Sequence, residues 1–293
     1  MRLNKKKFSA GQLVLHLIFI TLCACYVLPL ILLISLSFEG APNVSFSLFP
    51  REFTTLAYET IFAAPQKIVQ AYGVTFFYSI TGVLLSLVVM CLFSYALSRR
   101  NFRLRGIMTF LVFFTTLFSG GLVPHYILNT ALGLTNTIWI YILPGAISAW
   151  NVIVIRTYFQ TLPPELFECG RLDGASELQI CFRIAIPLST PVLASVGFLR
   201  FVAAWNDWST SQVYIRNPKL YSLQYLLQLI LADLEMIEQM LEHGVDLVSQ
   251  ETLQNLETMR FAMAVVAAGP MLVVFPFFQK YFKKGMTLGS VKG

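Results

Sequence analysis

The sequence predicts an all-α polytopic membrane protein with six transmembrane helices, and three observations predict it. Hydrophobic residues make up 56% of the chain and charged ones only 12%, against about 25% charged in an ordinary soluble domain. The apolar residues are gathered into long runs, and one such as Val83–Phe93 leaves no polar face for water. A bilayer core about 30 Å thick is crossed by about 20 helical residues. Six stretches meet that length, at about 13–38, 73–97, 106–128, 137–159, 188–208 and 261–282.

The first stretch follows Lys5-Lys6-Lys7 and starts like a signal peptide. It continues through "YVLPLILLISLSF" with no A-x-A cleavage site, so it reads as an uncleaved anchor. Residues 39–72 then mix Pro42, Pro50 and Pro65 with aromatics, which predicts loop and short helix. Arg99 to Arg105 makes a tight turn before the third stretch, and Asn129 to Asn136, with Gly133, another before the fourth. Between the fifth and sixth, "ADLEMIEQMLEHGVDL" places Leu234, Ile237 and Leu241 at helical spacing with acids between them, and Gly244 where the helix should end. That helix reads as a solvated acidic surface or as a dock for an external partner.

The net charge of +6 is distributed by topology. The N-terminus, the segments after the second and fourth stretches, and the C-terminus, with their adjoining helix ends, hold 15 of the 21 Lys and Arg. By the positive-inside rule both termini are cytoplasmic, and so is the segment after the fourth stretch. The five cysteines, Cys23, Cys25, Cys91, Cys169 and Cys181, read as reduced apolar fillers.

Chemistry motifs are missing. There is no G-x-x-x-x-G-K-[ST] loop to cradle phosphates, no H-E-x-x-H and no G-x-S-x-G. His16, His125 and His243 fall on different segments, which excludes a histidine metal cluster. Intramembrane acids of the kind that relay protons are not scattered through the runs. The chain is therefore read as no enzyme and as carrying no cofactor or metal of its own; a polytopic protein without its own energy source borrows one.

One segment stands apart, "ECGRLDGASELQICFRIAIPLSTP" at 168–191. Pro163 and Pro164 suit a first helical turn, with Glu165 near its positive end. That helix should run to about Leu172, and Cys169 and Gly170 are small enough to let another surface approach. Asp173-Gly174 then makes a turn, Gly174 being free to take φ > 0. Ser176 with Gln179 forms a capping-box pattern that restarts a helix through about Ile184, and Pro187 and Pro191 close the segment. The object is a rigid helix–turn–helix elbow over 163–186 on the cytoplasmic face.

Glu168, Asp173, Gly174 and Ala175, followed by Phe182, Ile184, Ile186, Pro187 and Pro191, resemble the E-A-A-x-x-D-G-A signature, and its proline-closed second helix, of permease subunits of binding-protein-dependent ABC importers. Cys169-Gly170 departs from the usual Ala-Ala. Residues 120–166, "AAWNDW" at 203–208 and "PFFQKYFKKGMTLGSVKG" at 276–293 resemble the carbohydrate-importing branch. The resemblance implies a type I permease fold whose elbow enters a cleft of a cytoplasmic ATPase, with Glu168, Asp173, Gly174 and Ala175 making or shaping that contact. It implies ATP and Mg in the partner ATPase, two such subunits, a second homologous permease forming a heterodimer, and an extracellular substrate-binding lipoprotein. It also implies a Gram-positive cell membrane, and a tail, Met286 to Gly293, that reaches the ATPase interface.

A sugar path needs aromatic faces and groups that hydrogen-bond hydroxyls. Trp205, Asn206 and Asp207 cluster with Trp208 at the outer end of the fifth stretch, although tryptophans there also serve as interface anchors. Asn151 and Arg200 lie deep within stretches, where a polar group faces protein or a water-filled cavity. His125, beside Pro124, is a further candidate. Arg200 would bind an anionic sugar such as a uronate, or be neutralised by an acid on a partner subunit. The rival readings are an ABC permease for a non-sugar solute and a self-contained ion-driven carrier.

Overall fold

The computed structural model describes residues 10–40, 48–63, 65–242 and 250–289; Lys5-Lys6-Lys7, Pro42, His243, Gly244, Asp246 and the tail beyond Gly289 lie outside them. The helices, in order, are α1 (Ala10–Leu36), α2 (Leu56–Ile61), α3 (Pro65–Ser98), α4 (Arg105–Leu117), α5 (Leu122–Ala131), α6 (Trp139–Ile142), α7 (Ala149–Thr161) and α8 (Pro164–Leu172). There follow α9 (Glu177–Ile180), a π-helical turn (Cys181–Ala185), α10 (Ile186–Leu188), α11 (Thr190–Trp205), α12 (Ser209–Tyr214), a 3-10 turn (Pro218–Leu220), α13 (Leu223–Glu242) and α14 (Gln250–Gly289). Among the described residues the only extended pairing is one isolated bridge, Glu39 with Phe53.

Gly11–Leu36, Pro65–Ser98 and Glu257–Pro276 are each long and apolar enough to cross a bilayer unaided. The third and fourth predicted stretches are not single helices. The third breaks between α4 and α5, where Gly121 takes φ +79° after Gly120, a region closed to residues with a Cβ. The fourth breaks between α6 and α7 around Pro144-Gly145; Pro144 has no N–H to continue a ladder. Ser148 then restarts the helix, its Oγ accepting from the Asn151 N–H. The short turn after α5 needs left-handed backbone twice, at Gly133 (φ 68°) and Asn136 (φ 58°).

The chain divides into two compact units: one holds the chain up to Pro65 with Ile230–Gly269, the other Gln66–Leu229 with the chain from Pro270. In the first, α1 exposes apolar side chains all round, as a lipid-facing helix does. The turn after α1 is tied by the Glu39 carboxylate, 2% exposed, which accepts the Arg51 and Glu52 N–H groups at 3.1 and 3.3 Å. Thr258 Oγ1 of α14 donates to the Glu39 carbonyl at 3.0 Å.

Two cores of the second unit lie among the described residues. One packs Met90, Cys91, Tyr95 and Leu97 of α3 against Val152, Ile155 and Phe159 of α7, and against Phe167, Ile180, Cys181 and Ala185. Ser94 Oγ donates to the Val152 carbonyl at 3.0 Å inside it, so this buried hydroxyl is paired. The other core stacks Tyr78 on Tyr141, with ring centroids 4.3 Å apart, among Ile140, Ile142, Ala204 and Ile215. Tyr78 Oη donates to the Ala204 carbonyl at 3.0 Å, which fixes α11 to α3.

Candidate functional site

The elbow forms as its sequence predicts, and each joint has a local cause. Pro164 opens α8 at a first-turn position, where no N–H is needed, and Glu165 sits in the positive first turn. The chain leaves α8 through Asp173, whose N–H donates to the Cys169 carbonyl, and reverses at Gly174, at φ +75°. Ser176 Oγ accepts from the Gln179 N–H at 3.3 Å, and Gln179 Oε1 accepts from the Ser176 N–H at 2.8 Å, a complete capping box. The second arm extends beyond the predicted Ile184. Pro187 cannot donate back one turn, and the helix passes through a π turn at Cys181–Ala185 before ending at Leu188. At Ser189 the direction changes by 81° into α11.

The elbow buries one side and offers the other. Phe167, Gly170, Ile180 and Cys181 face inward, while Leu172 is 87% and Leu178 63% exposed. Glu168, Asp173 and Gly174 are exposed and Ala175 is half-buried, so the four signature positions lie on or beside the outer surface. Gly170 does not leave room for an outside partner. A Cβ there would stand 3.1 Å from Ile184 Cδ1 and 3.2 Å from Ile180 Cγ1, because the second arm already fills that space. Cys91 and Cys181 are the buried fillers expected, whereas Cys23, Cys25 and Cys169 are exposed.

A polar cluster that the sequence did not flag ties the elbow to α3. Tyr95 Oη donates to Glu177 Oε2 at 2.6 Å, and Arg171 Nε donates to Glu177 Oε1 at 2.9 Å. Arg99 lies over two rings, its Cζ 3.7 Å from the Phe167 centroid and 4.6 Å from that of Tyr95. Burial alone would raise the Glu177 carboxyl, but the Tyr95 hydroxyl and the Arg171 guanidinium outweigh it and bring it below the ordinary carboxylate range. The hydrogen bond to Glu177 pushes Arg171 up in turn.

The path candidates are not gathered into one site. Trp205 is 0% exposed, enclosed by Tyr72, Phe76 and Phe201, and so belongs to the core. Asn206 Nδ2 donates to the Val202 carbonyl at 2.9 Å, and Asp207 Oδ1 accepts from Ser209 Oγ and the Thr210 N–H at 3.1 and 3.0 Å, closing the start of α12. His125 is exposed on α5, and Asn151 half-buried in the first turn of α7. Arg200 is half-buried, and its Nε is enclosed without a hydrogen-bond partner. Its guanidinium lies on Gly145, where an added Cβ would stand 2.7 Å from Arg200 Cζ.

Residues 88–288 fit the family described as "Binding-protein-dependent transport system inner membrane component". The chain belongs to that family. It is a membrane component of an ABC transporter and no enzyme, and its fold is the all-helical type I permease fold. It is 37% identical to Protein LplC of Bacillus subtilis (strain 168) over 279 residues, covering 92% of this chain and 90% of that one. It is also 37% identical to the polygalacturonan/rhamnogalacturonan transport system permease protein YtcP of the same organism over 281 residues, covering 94% and 95%. A solved structure, of a bacterial ABC transporter involved in the import of the acidic polysaccharide alginate, shares the fold with a TM-score of 0.77 and 28% identity, over 95% of this chain and 100% of that one.

Within this permease family member, the matched region starts in α3 and includes the whole elbow. Tyr95, Arg99 and Glu177 escaped the sequence reading for a simple reason. Tyr95 ends an apolar run and Arg99 opens a charged turn, and Glu177 is 82 residues from Tyr95. No local pattern joins them.

Proposed function

We propose that this chain is the translocation subunit of an importer for a sugar or oligosaccharide, driven through the elbow by ATP hydrolysed in two partner ATPase chains. One observation carries the reading: a segment braced by a capping box and a left-handed glycine turn holds Leu172 and Leu178 out into the surroundings. Exposed leucines on a rigid mount outside the apolar spans are what a docking partner covers. With both termini cytoplasmic, the elbow faces the compartment that holds ATP. The remaining partners are a second, homologous permease and an extracellular substrate-binding lipoprotein, and ATP with its Mg2+ binds in the ATPases. The transport roles in the names of YtcP and of the alginate importer support a carbohydrate over a non-sugar solute or an ion-driven cycle. Replacing Leu172 with Asp should remove the ATPase that co-purifies with the detergent-solubilised chain. An ATPase retained in full by that variant would refute the docking surface.

A narrower reading of the substrate rests on Arg200. A guanidinium enclosed at Nε, and in no ion pair among the described residues, is matched by a carboxylate. Both YtcP and the alginate importer are named for acidic polysaccharides. In this reading Arg200 receives a uronate carboxylate, while Asn151 and His125 are further positions for hydroxyl contacts. Gly145→Ala tests it with little cost to the fold, because the crowded atoms are the mobile end of Arg200. The displaced guanidinium should lower uptake of an oligogalacturonate about tenfold, one lost charge-assisted hydrogen bond, and leave uptake of a neutral oligosaccharide unchanged. Equal loss of both would assign Arg200 to an acid on the partner permease instead.

A further inference from the structure

The elbow has two kinds of contact with α3. Phe167, Ile180 and Cys181 pack against Met90, Cys91, Leu97 and the ring of Tyr95 in an apolar layer. Apolar packing resists separation but has no preferred direction, so this layer by itself is a weaker constraint on the elbow's angle than a directional bond. The second contact is directional. The Glu177 carboxylate takes one donor from each side: Tyr95 Oη at the end of α3, at 2.6 Å, and Arg171 Nε at the end of α8, at 2.9 Å. It therefore clamps both arms of the elbow, across the Gly174 turn, to a single hydroxyl on α3. A hydrogen bond from a hydroxyl to a carboxylate is short, strong and angle-dependent. Arg99, one turn beyond Tyr95, lies over the Tyr95 and Phe167 rings and restricts the same joint.

The joint is placed where motion could be admitted. Beside it lies a cavity of about 430 Å3, lined by Tyr95, Arg99, Phe102, Arg171, Glu177 and Leu178. Side chains that border open space can change partners; those inside a close-packed core cannot without moving their neighbours. The cluster is thus a point at which the angle between elbow and helix is set, not a further layer of core.

We propose that Tyr95, Glu177 and Arg171 form a latch that fixes the elbow's angle on α3, so that a force applied to the elbow rotates this span instead of slipping along it. The latch rests on the reading of the elbow as the ATPase contact. Its members are positioning residues; they touch neither ATP nor cargo. Tyr95→Phe is the sharpest probe, since it deletes one oxygen and keeps the ring that packs on Phe159 and Phe167.

The test uses the assembled complex in proteoliposomes. Cys23, Cys25 and Cys169, the exposed thiols, are replaced by serine, and Val69, 67% exposed near the other end of α3, is replaced by cysteine. Labelling of that position by a membrane-impermeant maleimide is timed without nucleotide and with ATP trapped by vanadate. In the parent complex the two rates should differ. Tyr95→Phe should shrink that difference about tenfold with the ATPase still bound, Glu177→Ala should do the same, and the double variant should be no worse than either alone. A full nucleotide response in Tyr95→Phe overturns the latch, and so does a lowered melting temperature with the response intact, which marks a brace only. A parent complex without any response, in which Leu172→Asp also keeps its ATPase, overturns the elbow reading and takes the latch with it.

Discussion

The elbow and the opposite end of α11 hold their shape by different means. At the elbow, α8 and α9 are short, and most of what defines them is local: a first-turn proline, a glycine at φ +75°, and a capping box spanning four residues. At Trp205 the shape comes from rings brought from afar, Tyr72 and Phe76 of α3 against Phe201 and Trp205 of α11, with Tyr78 donating to the Ala204 carbonyl. The first region holds Leu172 and Leu178 outward on a short, locally closed frame; the second encloses its largest side chain, Trp205, completely. A part that is to be gripped must keep its form without being buried, and hydrogen bonds closed within a few residues allow that. A part that is to hold spans together gains most from burial.

The comparison predicts different failures. Trp205→Ala removes a fully buried indole and should destabilise the permease by about 3–5 kcal/mol. The expected outcome is loss of folded protein in a detergent melt, with elbow and ATPase contact failing only as a consequence. Unchanged thermal stability would mean that the rings around Trp205 are not a core, and the contrast between the two regions would vanish.

Gly174→Val acts on the other region and should behave in the opposite way. A β-branched residue at φ +75° costs on the order of 1–3 kcal/mol, and no neighbour lies within 4 Å to be disturbed by the side chain. The strain is therefore relieved locally, by reshaping the turn. The melt should move little and the complex should assemble, while ATP hydrolysis and uptake separate: hydrolysis persists and transport per ATP falls. Normal uptake by this variant would count against the coupling role of the bend.

The same contrast explains what could be read in the sequence. The elbow was legible almost residue by residue, because Pro164, Gly174 and the Ser176–Gln179 pair act over one to three positions. The membrane runs were legible as composition, but hydropathy hid two interruptions whose punctuation was in plain view at Gly120-Gly121 and Pro144-Gly145. Trp205 could not be placed, since a tryptophan near a helix end packs inward or faces the interface according to residues elsewhere, here on α3. The Tyr95–Glu177 pair was invisible for the same cause, being a contact between two segments that no periodicity links. What is made locally is written locally; what is made by packing has to be seen.

The smallest expected effect falls at Gly170, where local and packing terms oppose each other. Restoring the alanine of the family signature removes a glycine from the interior of α8, a gain of about 1 kcal/mol in helix propensity. Against it, the new methyl would stand 3.1 Å from Ile184 Cδ1 and 3.2 Å from Ile180 Cγ1. Ile184 is half-buried and its terminal carbon can turn aside, but Ile180 is fully buried in the core and must shift by a few tenths of an ångström. Overpacking of this size costs about as much as the propensity returns, so Gly170→Ala should leave both melting temperature and transport per ATP near the parent values. Gly170→Leu meets the same two isoleucines with three more carbons and should push the arms of the elbow apart, lowering coupling before stability. If alanine alone uncoupled transport, the spacing of the two arms, more than the Gly174 bend, would be the quantity the ATPase reads.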